Sequence, residues 1–390
     1  MADSFVDPEL SNSKRAWNEY FEAKVGFRNY WYPACFSREV QNGEVVVRKI
    51  LGEGILLRRV RGRVRAIRDR CLHRGAKFSD KVECYTPDTI TCFYHGFTFN
   101  WEDGKVETVF GAPESAVIGS KRRIKTYPVK EANGMVFVFV GDEDYAVPPL
   151  AQDVPPEFLD QGIALEGVDI VIRANWRMGP EGGIDEIHRY LHRDSPLLLY
   201  AKKSIPLGHA GASGQLEIVE GPEGPKGIID RFKPERMFWD GVIHGKVVVS
   251  GVNFGPQPDS GKHKRTLYTS MWLPACLKVV SFPDNGFNLF EWYVPIDETT
   301  HRCFMTFTTA CTNEDEVQKF KEDFKLKWKP LAVDGFLMQD AFARESIQNF
   351  YQNDRAWLQE CLVEDDIMLM EWRKMCSRNS RGVQRPSHTV

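Results

Sequence analysis

Several features that would place this chain quickly are missing from it. No apolar run approaches the length of a membrane span. The N-terminal stretch MADSFVDPELSNSK lacks the apolar core of a secretory signal, so a cytoplasmic setting is expected. Charge bias is absent as well. A net charge of -3 leaves no electrostatic footprint for bulk nucleic-acid or membrane-surface binding. Internal repeats and low-complexity tracts are absent. The cysteines do not form a disulfide framework, because nine is an odd number and they are scattered over 390 residues.

What is present is an ordinary globular composition, 42% hydrophobic and 27% charged, in a chain longer than one compact core needs. Two domains are expected. LSNSKRAWNEYFEAK, residues 10–24, reads as helix, and we take residues 1–28 as an N-terminal helical segment packing with the later domain. From residue 29 the pattern becomes VVVRKILG, GILLRRV, RVRAIRD, TITCFYH, TFNWEDG and GMVFVFVGD. These short β-type runs separated by Gly and Asp turns suggest a small sandwich or barrel over residues 29–148. DEDYAVPPLAQDVPPEF, residues 142–158, reads as a linker. Residues 149–390 follow with strands first and helices after. GVDIVIRANWRM, FNLFEWYVPID and RCFMTFTTAC read as strands, and GPEGPKG and GPQPDSGKHKR as loops. A helical run is expected around 184–193. A longer one spans Asn313 to about Ser377, where Phe320, Phe324 and Trp328 lie four apart. The fold class is therefore α+β, with an antiparallel sheet flanked by helices in the second domain.

Chemistry gathers at two places. In the β-rich part, CLHRG supplies Cys71 and His73, and CFYHG supplies Cys92 and His95. Structural zinc sites usually pair Cys with Cys and His with His. Here each loop offers one of each, which suits a [2Fe–2S] cluster held by two thiolates on one iron and two imidazoles on the other. Gly75 and Gly96 close the loops and permit tight turns. Cys84 has no matching spacing. Cys35, Cys276, Cys303, Cys311, Cys361 and Cys376 have no Cys or His near them at ligand spacing and read as packing residues.

The second place is IDEIHRYLH, residues 184–192. On a helix His188 and His192 share a face, with Asp185 nearby. Two histidines and a carboxylate form the facial triad of non-haem Fe(II) oxygenases. Asp185 can be that carboxylate, or it can hydrogen-bond His188 while a later acid completes the set. GFLMQDAFARE offers Asp340 and Glu345, and Asp340 lies between Phe336 and Phe342 in apolar surroundings. Asp334 and Glu186 read as solvated helix residues.

The order C-x-H…C-x2-H, then D-x-x-H-x3-H, then a late helical Asp resembles the terminal oxygenases of Rieske non-haem iron ring-hydroxylating dioxygenases. GFRNYWYP, RCLHRGAKFSDKVEC, TITCFYHGFTFNWEDG, KTYPVKEANG, FEWYVPIDE and KWKPLAVDGF look like the subgroup that acts on carbazole and related fused heteroaromatics. The resemblance implies a Rieske cluster on Cys71, His73, Cys92 and His95. It implies a mononuclear Fe(II) on His188, His192 and Asp340, with Asp185 bridging His188 to His95 of an adjacent subunit. It further implies a homotrimer fed by a ferredoxin and an NAD(P)H-dependent ferredoxin reductase, carrying out angular cis-dihydroxylation with dioxygen. By the same resemblance the substrate lies against Leu277, Phe282, Leu289 and Phe336, with the Gly183 carbonyl near a ring N–H. Leu337 stands where typical relatives have Asn, and MGPEGGIDE is richer in glycine than the pattern.

The alternatives are a Rieske monooxygenase or O-demethylase, a plain electron carrier, which needs only a fraction of this length, and a zinc-stabilised binding module. LLRRVRGRVRAIRDR, residues 56–70, carries seven arginines. It reads either as a basic surface that steers an acidic ferredoxin or as a hairpin with a solvated Arg face.

Overall fold

The computed structural model describes residues 17–41, 43–185, 188–192, 195–200, 216–221, 224–230, 236–243, 247–253, 266–363 and 366–389. The chain divides into two compact units, Phe27–Gln152 with Gln384–Val390, and Met1–Gly26 with Asp153–Val383.

The unit formed by Phe27–Gln152 and the C-terminal residues consists of short antiparallel strands. They are β1 (Tyr30–Phe36), β2 (Val45–Ile50), β3 (Glu53–Val60), β4 (Arg63–Arg68), β5 (Val82–Glu83), β6 (Thr89–Cys92), β7 (Phe97–Asn100), β8 (Val106–Val109), β9 (Thr126–Tyr127), β10 (Val129–Ala132) and β11 (Met135–Val140). Three sheets result, in the orders β1-β11-β10, β2-β3-β4-β9 and β5-β6-β7-β8. Each apolar run noted in the sequence contributes a strand, and β11 is buried at every position and so on both of its faces. Leu56, Ile67, Phe78, Ile90, Phe99 and Trp101 meet in one core that also takes in Cys71 and Cys92.

A buried charge cluster ties this unit together. Glu53 accepts from Arg28 (3.1 Å), Lys125 (3.0 Å) and Tyr127 (2.7 Å). Burial alone would raise its carboxyl, but Lys125, Tyr127 and Arg28 outweigh burial and hold it below the usual glutamate value. The C-terminal residues join the same network. Arg28 also donates to Gln384 Oε1, and Gln384 donates to the Leu51 carbonyl at 2.8 Å.

The other unit begins with α1 (Asn18–Glu22) and has β12 (Ile163–Ile172), α2 (Met178–Ile184), α3 (Pro196–Tyr200), β13 (Leu216–Gly221), β14 (Gly224–Asp230), β15 (Arg236–Ile243), β16 (Val247–Asn253), β17 (Thr266–Trp272), β18 (Cys276–Val280), β19 (Phe287–Pro295) and β20 (His301–Ala310). The helices α4 (Glu314–Asp323), α5 (Met338–Tyr351), α6 (Ala356–Gln359) and α7 (Ile367–Asn379) follow. Seven strands form one antiparallel sheet in the order β12-β20-β19-β18-β17-β16-β15, and β13 and β14 form a separate ribbon. The α+β expectation thus holds, with strands preceding helices.

Register decides which residues the sheet turns toward the helices. Leu277 pairs with Glu291 and Glu291 with Met305, while Val279 pairs with Leu289 and Leu289 with Phe307. Side chains alternate along a strand, so Leu277, Leu289, Glu291, Tyr293 and Phe307 share one face. Phe290 and Trp292 occupy the other, where Phe158 packs edge-on against both rings at 5.2 Å. α2 lies close on the first face. A Cβ at Gly179 would come within 2.4 Å of the Tyr293 ring, so only glycine permits this approach.

Several expectations are corrected. The helix expected over 184–193 is two pieces. α2 ends at Ile184, Asp185 is extended, and His188–His192 form a 3-10 turn. The Asp185 carboxylate accepts from the His188 backbone N–H at 3.1 Å, so the side chain caps a new turn rather than continuing the old one. The long C-terminal helix contains a π-type run, Phe324–Leu337, around Pro330. Proline lacks the N–H and crowds the carbonyl four residues back, so an ordinary α-turn cannot carry it. Gly224–Gly227, read as loop, belong to β14, and GPQPDSGKHKR lies outside the described residues. Cys35, Cys276, Cys303 and Cys376 are buried, but Cys311 is half-buried and Cys361 exposed, so neither packs as expected.

Candidate metal centres

The first centre starts from two equal loops. The His spacings differ, but Cys-to-Gly spans the same distance in both. Gly75 N–H donates to the Cys71 carbonyl (3.0 Å) and Gly96 N–H to the Cys92 carbonyl (2.9 Å). Both glycines have positive φ, +76° and +66°. A Cβ at Gly96 would lie 2.4 Å from Phe110 Cβ. Asp69 braces the first loop by accepting from the Ser79 backbone N–H (2.9 Å) and its hydroxyl (2.5 Å).

These turns put both thiols inside and both imidazoles outside. Cys71 and Cys92 are buried and neither is in a disulfide, while His73 is exposed. The two imidazoles meet with Nδ1 atoms 3.1 Å apart. Phe97 stacks on His73 at 4.8 Å, and Tyr94 lies over His95 at 3.7 Å. Burial and the adjacent Cys92 sulfur push the Cys71 thiol up to about 12, against the pull of the His73 and Arg74 backbone groups. Two buried sulfurs in contact, with two Nδ1 atoms turned to one another, lack only a cation to justify the arrangement. The donor set fits a cluster with two sulfur and two nitrogen ligands.

The second centre is assembled by the 3-10 turn and the start of α5. Nε2 of His188 and of His192 lie 3.7 Å and 3.4 Å from Asp340 Oδ1. One ligand atom from each of the three residues lies within 4.8 Å of the others. His192 Nε2 is buried and has no hydrogen-bond partner, and it faces the Asp340 carboxylate. A metal ion at that point would satisfy it, so the residues fit a facial triad. Burial alone would raise the Asp340 carboxyl, but His192, His188 and Arg344 hold it below the usual aspartate value. Arg344, one turn further along α5, donates to Glu291 at 3.4 Å and lies over the Tyr293 ring.

Other candidate acids fall elsewhere. Glu345 pairs with Arg173, and Asp334 with Lys329 at the surface. Glu186 lies outside the described residues. Asp185 is half-buried beside the triad, and its backbone carbonyl accepts from His188 Nδ1. Phe342 is 73% exposed, so the apolar setting of Asp340 comes from Phe336 and the sheet, not from Phe342.

An aromatic wall adjoins the triad. Phe336 stacks on His192 (3.6 Å between centroids, 11° between planes), Phe282 lies 5.3 Å from Phe336, and Phe307 6.5 Å from Phe282. Gly183 faces Leu277, because a Cβ there would meet Leu277 Cδ2 at 2.8 Å. Leu289 shares the sheet face of Leu277 and Phe307. Sequence reasoning missed Gln339, which pairs with His192, and Phe307. Phe307 had a signal, its alternate position on β20, whereas Gln339 had none, since its partner lies 147 residues away in the chain.

Of the seven arginines in residues 56–70, five have partners within their own unit. Arg58 donates to the Thr86 carbonyl and Arg68 to that of Thr389, while Arg59, Arg61 and Arg65 pair with Glu131, Asp88 and Glu102. Among the described residues, no helix is long and apolar enough to cross a membrane.

Two Cys–His loops in a β-rich unit, together with a two-histidine, one-carboxylate cluster under a sheet-and-helix scaffold, mark the class of iron-dependent ring oxygenases. The description "Rieske [2Fe-2S] domain" matches residues 30–128, and "Homotrimeric ring hydroxylase" matches residues 139–384. The chain belongs to this homotrimeric ring hydroxylase family, and its cofactors are a Rieske [2Fe–2S] cluster and a mononuclear iron. It is 41% identical to the carbazole 1,9a-dioxygenase terminal oxygenase component of Metapseudomonas resinovorans, over 98% of both chains. It is 43% identical to the same component of Sphingomonas sp, over 95% of this chain and 96% of that one. A solved reduced complex between oxygenase and ferredoxin in carbazole 1,9a-dioxygenase is 38% identical, with TM-score 0.80, covering 99% of this chain and 98% of that chain.

Proposed function

We propose that this chain is the terminal oxygenase of a multicomponent dioxygenase performing angular cis-dihydroxylation of carbazole or a related fused heteroaromatic. Residues 29–148 carry the cluster on Cys71, His73, Cys92 and His95, and residues 149–390 carry the iron on His188, His192 and Asp340. The observation that bears the reading is the orphaned, buried His192 Nε2 facing Asp340 beside an aromatic wall. When bound, the cluster supplies single electrons and the iron supplies dioxygen binding and activation.

The chain's own residues do the rest. His188 holds its proton on Nδ1 against the Asp185 carbonyl, leaving Nε2 directed inward. Leu277, Phe282, Leu289 and Phe336 exclude water and hold a flat apolar ring, and the Gly183 carbonyl accepts its N–H. Asp185 links His188 to His95 of an adjacent copy in the trimer. The balance is one substrate, one O2, two electrons and two protons. Two hydroxyls form on adjacent carbons, one of them bonded to the ring nitrogen. That hemiaminal opens by C–N cleavage to an aminobiphenyl diol. Electrons arrive from a ferredoxin and its NAD(P)H-dependent reductase, and the setting is cytoplasmic.

The test is turnover of carbazole by the purified protein with ferredoxin and reductase under labelled dioxygen. Mass spectrometry should find two labelled oxygens in the aminobiphenyl diol. Incorporation of one, or no turnover of any fused heteroaromatic offered, would overturn the reading.

A further inference from the structure

Gln339 lies beside the triad without belonging to it. Phe336, Gln339 and Asp340 are spaced i, i+3 and i+4 where the π-type run passes into α5, so all three share one helical face. That face grips a single imidazole from three sides. Phe336 stacks on the His192 ring plane, Asp340 Oδ1 lies 3.4 Å from Nε2, and Gln339 Oε1 lies 2.9 Å from Nδ1.

The tautomer follows from the other nitrogen. Nε2 is buried, has no hydrogen-bond partner and faces a carboxylate. As a metal ligand it must present a bare lone pair, so the ring proton sits on Nδ1 and donates to the Gln339 carbonyl oxygen. His188 has the same arrangement with a different acceptor, the Asp185 backbone carbonyl. One ligand is thus oriented by main chain and the other by a side chain that substitution can remove. Leu337 is buried and has no polar side-chain atom, so it offers no substitute acceptor.

We propose that Gln339 is a positioning residue for the mononuclear iron: its carbonyl oxygen fixes the tautomer and rotation of His192, and so sets the affinity and ligand field of the site. This rests on the reading of His188, His192 and Asp340 given above. What the site requires at 339 is an acceptor of glutamine length, not glutamine itself.

The test uses full-length protein with its cluster retained and oxidised, stripped of mononuclear iron by a chelator and titrated anaerobically with Fe(II). The oxidised cluster is diamagnetic, so near-infrared magnetic circular dichroism reads the added Fe(II) alone. Gln339→Glu keeps the acceptor, and it should bind within about three-fold of the parent with the same band positions. Gln339→Met keeps the length without the acceptor. It should bind about 10–100-fold more weakly, the range seen when a partner of a ligating histidine is lost, with shifted bands. If both variants bind like the parent, or if both lose Fe(II) alike, the acceptor is not what matters and the proposal fails. If the parent itself takes up no Fe(II), the triad reading fails first and the proposal with it.

Discussion

At the residue scale, Asp340 carries the most consequence. It is a carboxylate only 6% exposed, which His192, His188 and Arg344 hold below the usual aspartate value. Replacing it with alanine removes the one anionic ligand of the proposed iron site. Metal analysis of Asp340→Ala should fall from about three irons per chain to about two, the cluster alone, and substrate-dependent oxygen uptake should stop. Retention of both iron and uptake would move the third ligand elsewhere. Asp340 was legible in sequence because an acid inside an apolar helical stretch calls for a partner, although the argument named one neighbour wrongly, since Phe342 points to solvent. The cysteine and histidine loops were legible for a stronger reason. A Cys and a His in each of two glycine-closed turns is an uncommon pairing, and each turn proves to close over the same Cys-to-Gly span. Gln339 was not legible. A single glutamine on a helix looks like solvated surface until the histidine it meets, 147 residues earlier, is placed beside it.

At the element scale, strands were easier to read than helices. β3, β4, β11, β19 and β20 follow from apolar and β-branched runs between turns, a local property of the chain. The helix expected across 184–193 failed because periodicity does not register a side chain that caps a turn midway, as Asp185 does. The π-type run around Pro330 escaped for a related reason, since the 3.6-residue pattern of Phe320, Phe324 and Trp328 runs straight into it. What the strands cannot supply locally, buried charge supplies across them. Glu53 on β3 joins Arg28, Lys125 and Tyr127. Glu53→Gln removes the counter-charge of Lys125 and leaves Arg28 with Asp142 (2.9 Å), and it should cost about 3 kcal/mol, read from urea unfolding followed at the cluster absorbance. The sign with pH follows from the lowered carboxyl. The stabilisation is present above the ordinary glutamate value and is lost as pH falls through the depressed one. The parent should therefore lose stability on acidification more steeply than Glu53→Gln. Parallel curves would remove Glu53 from the account.

At the scale of the whole molecule, two units and an α+β class were open to sequence reasoning, because composition and pattern change near the proline-rich stretch at 142–158. The return of Gln384–Val390 to the β-rich unit was not, because a short polar tail has no periodicity to read, and its anchors, Arg28 and the Leu51 carbonyl, are more than 300 residues away. Assembly raises a sharper question. His73 is exposed, and its ring and that of His95 reach the surface of their own unit, while the triad lies in the other unit. If Asp185 connects to His95 of an adjacent copy, a working site needs intact residues from two chains. That can be tested by mixing. His73→Ala removes a proposed cluster ligand and Asp340→Ala a proposed iron ligand, so each homotrimer should be inactive. Co-expressed with different tags and purified through both, the two chains form mixed rings. In a cyclic trimer holding both chains, one of the three sites pairs an intact Cys–His loop set from one chain with an intact His–His–Asp set from its neighbour. Mixed trimers should therefore regain about a third of parental turnover, whereas transfer confined within each chain would leave them as inactive as either parent variant.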